Sequence, residues 1–173
     1  MINGGCYHTT YSTAVSLPDN TSEIPPEVEQ LVNLEEFECG PSSGCDLTDL
    51  PGWFWNLTSL REIHIAGNDQ ILVIPPEIGY LTELRHLNID RSNVTEIPEE
   101  LIYCTKMELF WCYRNDLVYF PWHIIGAWTN LMGLKLGQND IANPLDPAMC
   151  GAFPLTEHFF YEEFKIQENA IPG

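Results

Sequence analysis

The stretch "LVIPPEIGYLTELRHLNIDRSNVTEIPEEL", residues 72–101, states a phrase and then repeats it: "VIPPEI" at 73–78 returns as "EIPEEL" at 96–101, 23 residues later. Extending this echo in both directions gives Leu34, Leu60, Leu84, Met107 and Leu131 as equivalent starts, at intervals of 26, 24, 23 and 24 residues. Each start is followed by apolar residues at offsets 3 and 5, namely Phe37 and Cys39, Ile63 and Ile65, Leu87 and Ile89, Phe110 and Cys112, and Leu134 and Leu136. These alternate as a short strand does. Offset 8 carries Asn68, Ser92, Asn115 and Asn139, followed nearby by Ile71, Val94, Leu117 and Ile141. An apolar-Pro pair then closes the unit, as in Ile24-Pro25, Leu50-Pro51, Ile74-Pro75, Ile97-Pro98 and Phe120-Pro121.

A chain repeats such a phrase because one copy cannot stand alone. A unit buries about seven apolar side chains at roughly 1.5–3 kcal/mol each. Ordering its residues costs about 1–2 kcal/mol apiece. Stacking units side by side lets the strands pair as a parallel sheet over a continuous core. The Asn at offset 8, with two donors and an acceptor, is expected to bond backbone where no strand continues. Ser92 can do less. Pro, having no N–H, suits the connectors better than the strands. In the first unit "GPSSGCD" replaces the Asn position with extra residues, so a loop should bulge from that edge.

The pattern resembles the leucine-rich-repeat family, LxxLxLxxNxL followed by xxIPxxIxxLxx, and within it the 23-residue intracellular Ras-group class, since no Gly precedes the Ile-Pro pair. The resemblance covers residues 24–145 in five copies. It implies an α/β fold: a short, curved, right-handed solenoid with a parallel β-sheet on the concave face and irregular or short helical connectors on the convex side. Residues 1–23 and 146–173 depart from the repeat and read as an N-terminal cap and a C-terminal cap or arm, because exposed end rungs need covers.

Residues between the buried strand positions should point out from the concave sheet. Offset 2 gives Glu36, Glu62, His86, Leu109 and Gly133; offset 4 gives Glu38, His64, Asn88, Trp111 and Lys135; offset 6 includes Asp90 and Tyr113. The face thus runs from acidic, through imidazole, to an aromatic patch of Leu109, Trp111 and Tyr113 with Arg114 beside it. Large aromatics and Arg are common binding hot spots. Five or six strands about 4.8 Å apart make a small sheet, short of a standard footprint of about 800 Å² per side, so loops, edges or termini should contribute.

Charge and composition narrow the partner. With 25 acids against 7 bases, the net charge is −18. Nucleic acid is a poor partner for such a surface, because phosphate binding needs clustered Lys and Arg. A basic protein or a metal-rich medium suits it better, the alternative being that the acids simply keep the particle soluble. No run of about 18 apolar residues exists to span a membrane, and the first residues carry no secretory leader, so an intracellular setting is expected. His64 and His86 lie near Glu62 and Asp90, a combination able to hold a metal or move protons. No nucleophile and no third ligand at fixed sequence spacing accompanies them, so neither an enzyme nor a metal or cofactor site is expected.

Six cysteines are unevenly spaced. Reduced thiols are expected, with Cys104 and Cys112 as small core hydrophobes and Cys39 and Cys45 as the one pair near enough in sequence to bond. The triplets at Asn20, Asn56 and Asn93 fit the glycan acceptor pattern. The functional expectation is a non-enzymatic protein-interaction module. Two alternatives are a permanent subunit of a large assembly, such as a capsid, cytoskeletal or organellar complex, suggested by the lack of an appended effector domain, and an extracellular recognition domain.

Overall fold

A computed structural model describes residues 12–40 and 44–143. Six strands, β1 (Ala14–Leu17), β2 (Glu36–Cys39), β3 (Glu62–His64), β4 (His86–Asn88), β5 (Leu109–Trp111) and β6 (Gly133–Lys135), form one parallel sheet in strict chain order. The pairing keeps the repeat offsets in register, with Phe37, Ile63, Leu87, Phe110 and Leu134 opposite one another along the sheet. All five are buried, as are the five equivalent starts, and they belong to one continuous core. A register slip of one residue would turn this row out to water and the polar row inward, so the core fixes the alignment.

The sheet begins earlier than the sequence repeat. β1 lies in the segment assigned to the N-terminal cap, yet Val15 and Leu17 pair opposite Phe37 and Cys39 and are buried with them. In "YSTAVSLPD" only these two apolar positions of the unit persist. The proposed C-terminal cap at 146–173 and the tip of the first-unit loop lie outside the described residues.

Five 3-10 turns supply the other side of each rung: Pro26–Gln30, Gly52–Asn56, Pro76–Tyr80, Glu99–Tyr103 and Trp122–Ala127. Each starts directly after the Pro of an apolar-Pro pair. That Pro has no N–H to give, but its carbonyl accepts the first turn bond, as from Ile78 to Pro75 at 3.1 Å and from Leu101 to Pro98 at 3.2 Å. The chain then steps in three-residue bonds back to the strand, from Leu81 to Ile78 and from Leu84 to Leu81, both at 3.0 Å. None of the helices in the described residues is long and apolar enough to cross a membrane.

The offset-8 side chains tie rung to rung. Asn115 Oδ1 accepts from the backbone N–H groups of Ser92 (3.1 Å) and Val94 (2.8 Å), while its Nδ2 donates to Ile89 O at 2.9 Å. Asn68 bonds Leu47 N and Ile65 O, and Asn139 bonds Leu117 N, Cys112 O and Leu136 O. Ser92 has a single proton to give and sits 3.3–3.4 Å from each of its partners. Asn143 adds a similar clamp, exchanging bonds with the N–H and C=O of Phe120.

Cys104 and Cys112 are free and fully buried, as expected. Burial pushes the Cys104 thiol up to about 12 and that of Cys112 well above the ordinary range. Both therefore stay neutral and unreactive at neutral pH. The expectation of reduced thiols fails at Cys39 and Cys45, which form a disulfide. Gly40 and Gly44, just inside the two cysteines, take positive φ of +71° and +93°, and the cysteine Cα atoms lie 5.6 Å apart. A Cβ on Gly44 would meet the Gly67 carbonyl oxygen at 2.6 Å, so the close approach of the two rungs requires glycine there.

Replacing Asn115 with Leu leaves two buried N–H donors and a carbonyl unpaired, a loss on the order of 3 kcal/mol or more, whereas Ser92→Ala should cost about 1 kcal/mol. Thermal unfolding of the two variants checks the ladder; equal losses would contradict it.

Candidate protein-binding face

The parallel register converts the repeat spacing into two outward rows. One is Glu36, Glu62, His86, Leu109 and Gly133, and the other is Glu38, His64, Asn88, Trp111 and Lys135. Glu36 is exposed, Gly133 is buried, and the rest are half-buried. At the acidic end Glu38 accepts a bond from Ser16 Oγ at 2.8 Å, so β1 extends the face.

In the middle, side chains from β3 and β4 converge. Glu62 Oε2 lies 3.3 Å from His64 Nε2 and 3.5 Å from His86 Nδ1. His86 Nε2 lies 3.6 Å from Glu108 Oε2, and Glu108 is held by Arg85 at 2.9 Å. Of the two acids expected beside the histidines, Glu62 is there, while Glu108 stands where Asp90 was expected. Asp90 faces the next rung instead, its Oδ1 accepting the Tyr113 backbone N–H at 2.7 Å. Asn88 is also tied locally, accepting from the Asp90 N–H.

At the aromatic end the Lys135 ammonium stands 3.7 Å from the centre of the Trp111 ring, a cation–π contact that covers one ring face. The indole Nε1 of Trp111 is buried and meets no hydrogen-bond acceptor among the described residues. Beside it a cleft of about 30 Å³ is lined by His64, His86, Leu87, Asn88, Leu109 and Trp111. That is room for about one water, far below the roughly 300 Å³ at which small-molecule sites begin. The face is therefore shaped for surface contact.

Arg114 does not join the aromatic patch. With φ of +61° it lines a separate cavity of about 330 Å³ together with Gly67, Asp69, Arg91 and Asn93. Arg91 precedes Ser92 as Arg114 precedes Asn115, so the two arginines occupy one column of the repeat, a signal present in the sequence but not among the expected face residues. Elsewhere the bases serve the fold: Arg61 pairs with Glu35, Arg85 with Glu108 and Lys106 with Glu83, each across one rung. The structure also exposes Leu72, Val73, Val118 and Tyr119. The sequence signal for these is their place just before the buried residue of an apolar-Pro pair.

The chain is a leucine-rich-repeat solenoid. No protein-family model matches it. It resembles the volume-regulated anion channel subunit LRRC8A of Rattus norvegicus, with 29% identity over 46% of this chain and 12% of the rat protein. The solenoid thus spans about an eighth of that relative. Among solved structures, an LRR protein of Leptospira interrogans shares 28% identity and a TM-score of 0.66 over 77% of this chain and 33% of its own. The Arabidopsis receptor kinase HAESA, in complex with the peptide hormone IDA and the co-receptor SERK1, shares 25% identity and a TM-score of 0.67 over 79% of this chain and 23% of its own. The plant peptide hormone receptor RGFR1, in complex with RGF2, is comparable at 25% and 0.65, over 75% of this chain and 21% of its own. Leucine-rich-repeat domains of this kind generally bind proteins or peptides.

Burial raises the Asp90 carboxyl above its ordinary value, against the opposing pull of the Tyr113 N–H and the nearby Lys135 and Arg91 charges. A raised carboxyl means that ionisation favours the unfolded chain, so its contribution to stability is full below the unfolded-state value near 3.8 and falls as pH rises through the folded value. Asp90→Asn keeps an acceptor for Tyr113 and removes the charge. It should raise Tm at neutral pH, with the gain shrinking toward pH 3.5; a loss at neutral pH would show that the ionised form is favourable.

Proposed function

We propose that this solenoid is a non-enzymatic binding module that holds a protein or peptide against its concave sheet, with the aromatic strip of β5 as the anchor. The observation that carries this reading is the half-exposed Trp111, whose ring packs under the Lys135 ammonium on the same face of the sheet as Leu109. Large aromatic side chains set this way on an exposed sheet are the commonest anchors of protein interfaces. The acidic end, with Glu36, Glu38 and Glu62, favours a partner that is basic where it meets β2 and β3. HAESA and RGFR1, each solved with a peptide hormone, support the peptide form of the reading.

The double variant Trp111→Ala/Tyr113→Ala should abolish recovery of cross-linked partners from native extract while leaving Tm within a few degrees of the parent. Undiminished recovery by a folded variant would refute the site.

A second reading concerns the compartment. The 23-residue Ras-group pattern favours an intracellular protein. The Cys39–Cys45 disulfide favours export, because such bonds persist mainly in oxidising compartments. Asn20, Asn56 and Asn93, the three acceptor positions, are all exposed. Export would bring the protein nearer to the extracellular recognition domains than to the subunit of an intracellular assembly. The intact mass of protein from its native source should exceed 19.7 kDa by whole glycans if it is exported; an unmodified mass with free Cys39 and Cys45 thiols would return it to the intracellular class.

A further inference from the structure

We propose that Glu62, His64 and His86 together bind one divalent transition-metal ion, of which Zn²⁺ is the representative, through Glu62 Oε2, His64 Nε2 and His86 Nδ1. Sequence spacing conceals such a site, because no compact ligand motif joins the three. The fold exposes it. Glu62 and His64 are two apart on β3 and project from one face, and the register sets His86 of β4 directly opposite Glu62.

The distances fit a metal better than they fit tight hydrogen bonds. Four ligands at about 2.0–2.1 Å around a tetrahedral ion lie roughly 3.3–3.4 Å from one another. Glu62 Oε2 is 3.3 Å from His64 Nε2 and 3.5 Å from His86 Nδ1. All three ligand atoms lie within 4.8 Å of one another, and the imidazole rings meet nearly edge to face, at 78°. Binding requires the remaining His64–His86 edge to close to the same tetrahedral spacing. Two nitrogens and one carboxylate oxygen are the donor set that borderline ions such as Zn²⁺ accept, whereas Ca²⁺ and Mg²⁺ favour all-oxygen sites.

The surroundings supply the usual outer support. With Nδ1 on the ion, the His86 ring turns its Nε2–H toward Glu108 Oε2, now 3.6 Å away, and Arg85 pins that carboxylate at 2.9 Å. A metal-bound imidazole characteristically donates its second N–H to a carboxylate in this way. The three ligand residues are half-buried, which limits but does not close solvent access. Three protein ligands leave a fourth position for water.

The test is calorimetric titration of the metal-free full-length chain with ZnCl₂, with Co²⁺ absorbance as an independent reading of geometry. One equivalent should bind, raise Tm, and be matched by strong four-coordinate Co²⁺ bands that Zn²⁺ displaces. His64→Gln and His86→Gln, each checked for folding by circular dichroism, should weaken Zn²⁺ binding by at least tenfold, and Glu108→Gln by about tenfold through loss of outer support. Ca²⁺ should not compete. Absence of both heat and Tm change in the parent chain would overturn the proposal. So would six-coordinate Co²⁺ spectra, undiminished binding by the folded His64→Gln/His86→Gln double variant, or equal displacement by Ca²⁺, which would assign the ion to the acidic surface at large.

Discussion

No rung of this protein can bury its own apolar side chains, and every other feature depends on neighbouring rungs doing it jointly in register. Leu60 and Ile63 are fully buried because Leu34 and Phe37 on one side, and Leu84 and Leu87 on the other, cover them. The sheet is parallel because each chain segment returns over the turn side before starting the next strand, and a crossover of about two dozen residues permits nothing tighter. The three-residue bonds that begin at Pro25, Pro51, Pro75, Pro98 and Pro121 bring the chain back at a constant pitch. The asparagines then hold the adjacent segments where strand pairing ends. Ser92 is the weak joint in that ladder because a hydroxyl has one proton where an amide has two.

The same register builds the chemistry. Residues about one repeat apart in sequence become side-by-side neighbours, so Glu62 meets His86 and Trp111 meets Lys135. Such pairs share one face of a short sheet with no deep pocket between them. A surface of that kind recognises other surfaces, with the aromatic strip supplying apolar area and the acidic rows supplying orientation. The half-buried imidazole and carboxylate groups between the two ends are the part of the face with the geometry to hold an ion.

At the first unit the regular pattern gives way. Where the later units use an offset-8 asparagine, this unit carries the Cys39–Cys45 bond, and the Gly44 N–H donates to Gly40 O at 3.0 Å. The ladder resumes from the next rung, where Asn68 reaches back to Leu47. β1 extends the sheet beyond this irregular unit because Val15 and Leu17 still present two apolar side chains to the core.

The sequence by itself determined the solenoid, since a repeat of buried Leu positions at offsets 0, 3 and 5 has no other way to leave water. It also determined which strand residues face outward, the buried Gly133 excepted, because strand alternation is a property of the backbone alone. Cys104 and Cys112 were legible as core residues for the same reason. What only the tertiary structure decided was which outward residues touch. Glu108 and not Asp90 completes the histidine group, Arg114 leaves the aromatic patch for the Arg91 cavity, and β1 joins the sheet, because side-chain reach across rungs depends on rotamers and turn angles that a repeat does not encode. The Cys39–Cys45 bond belongs there too, because sequence proximity allows the pairing but only the fold sets the two Cα atoms 5.6 Å apart.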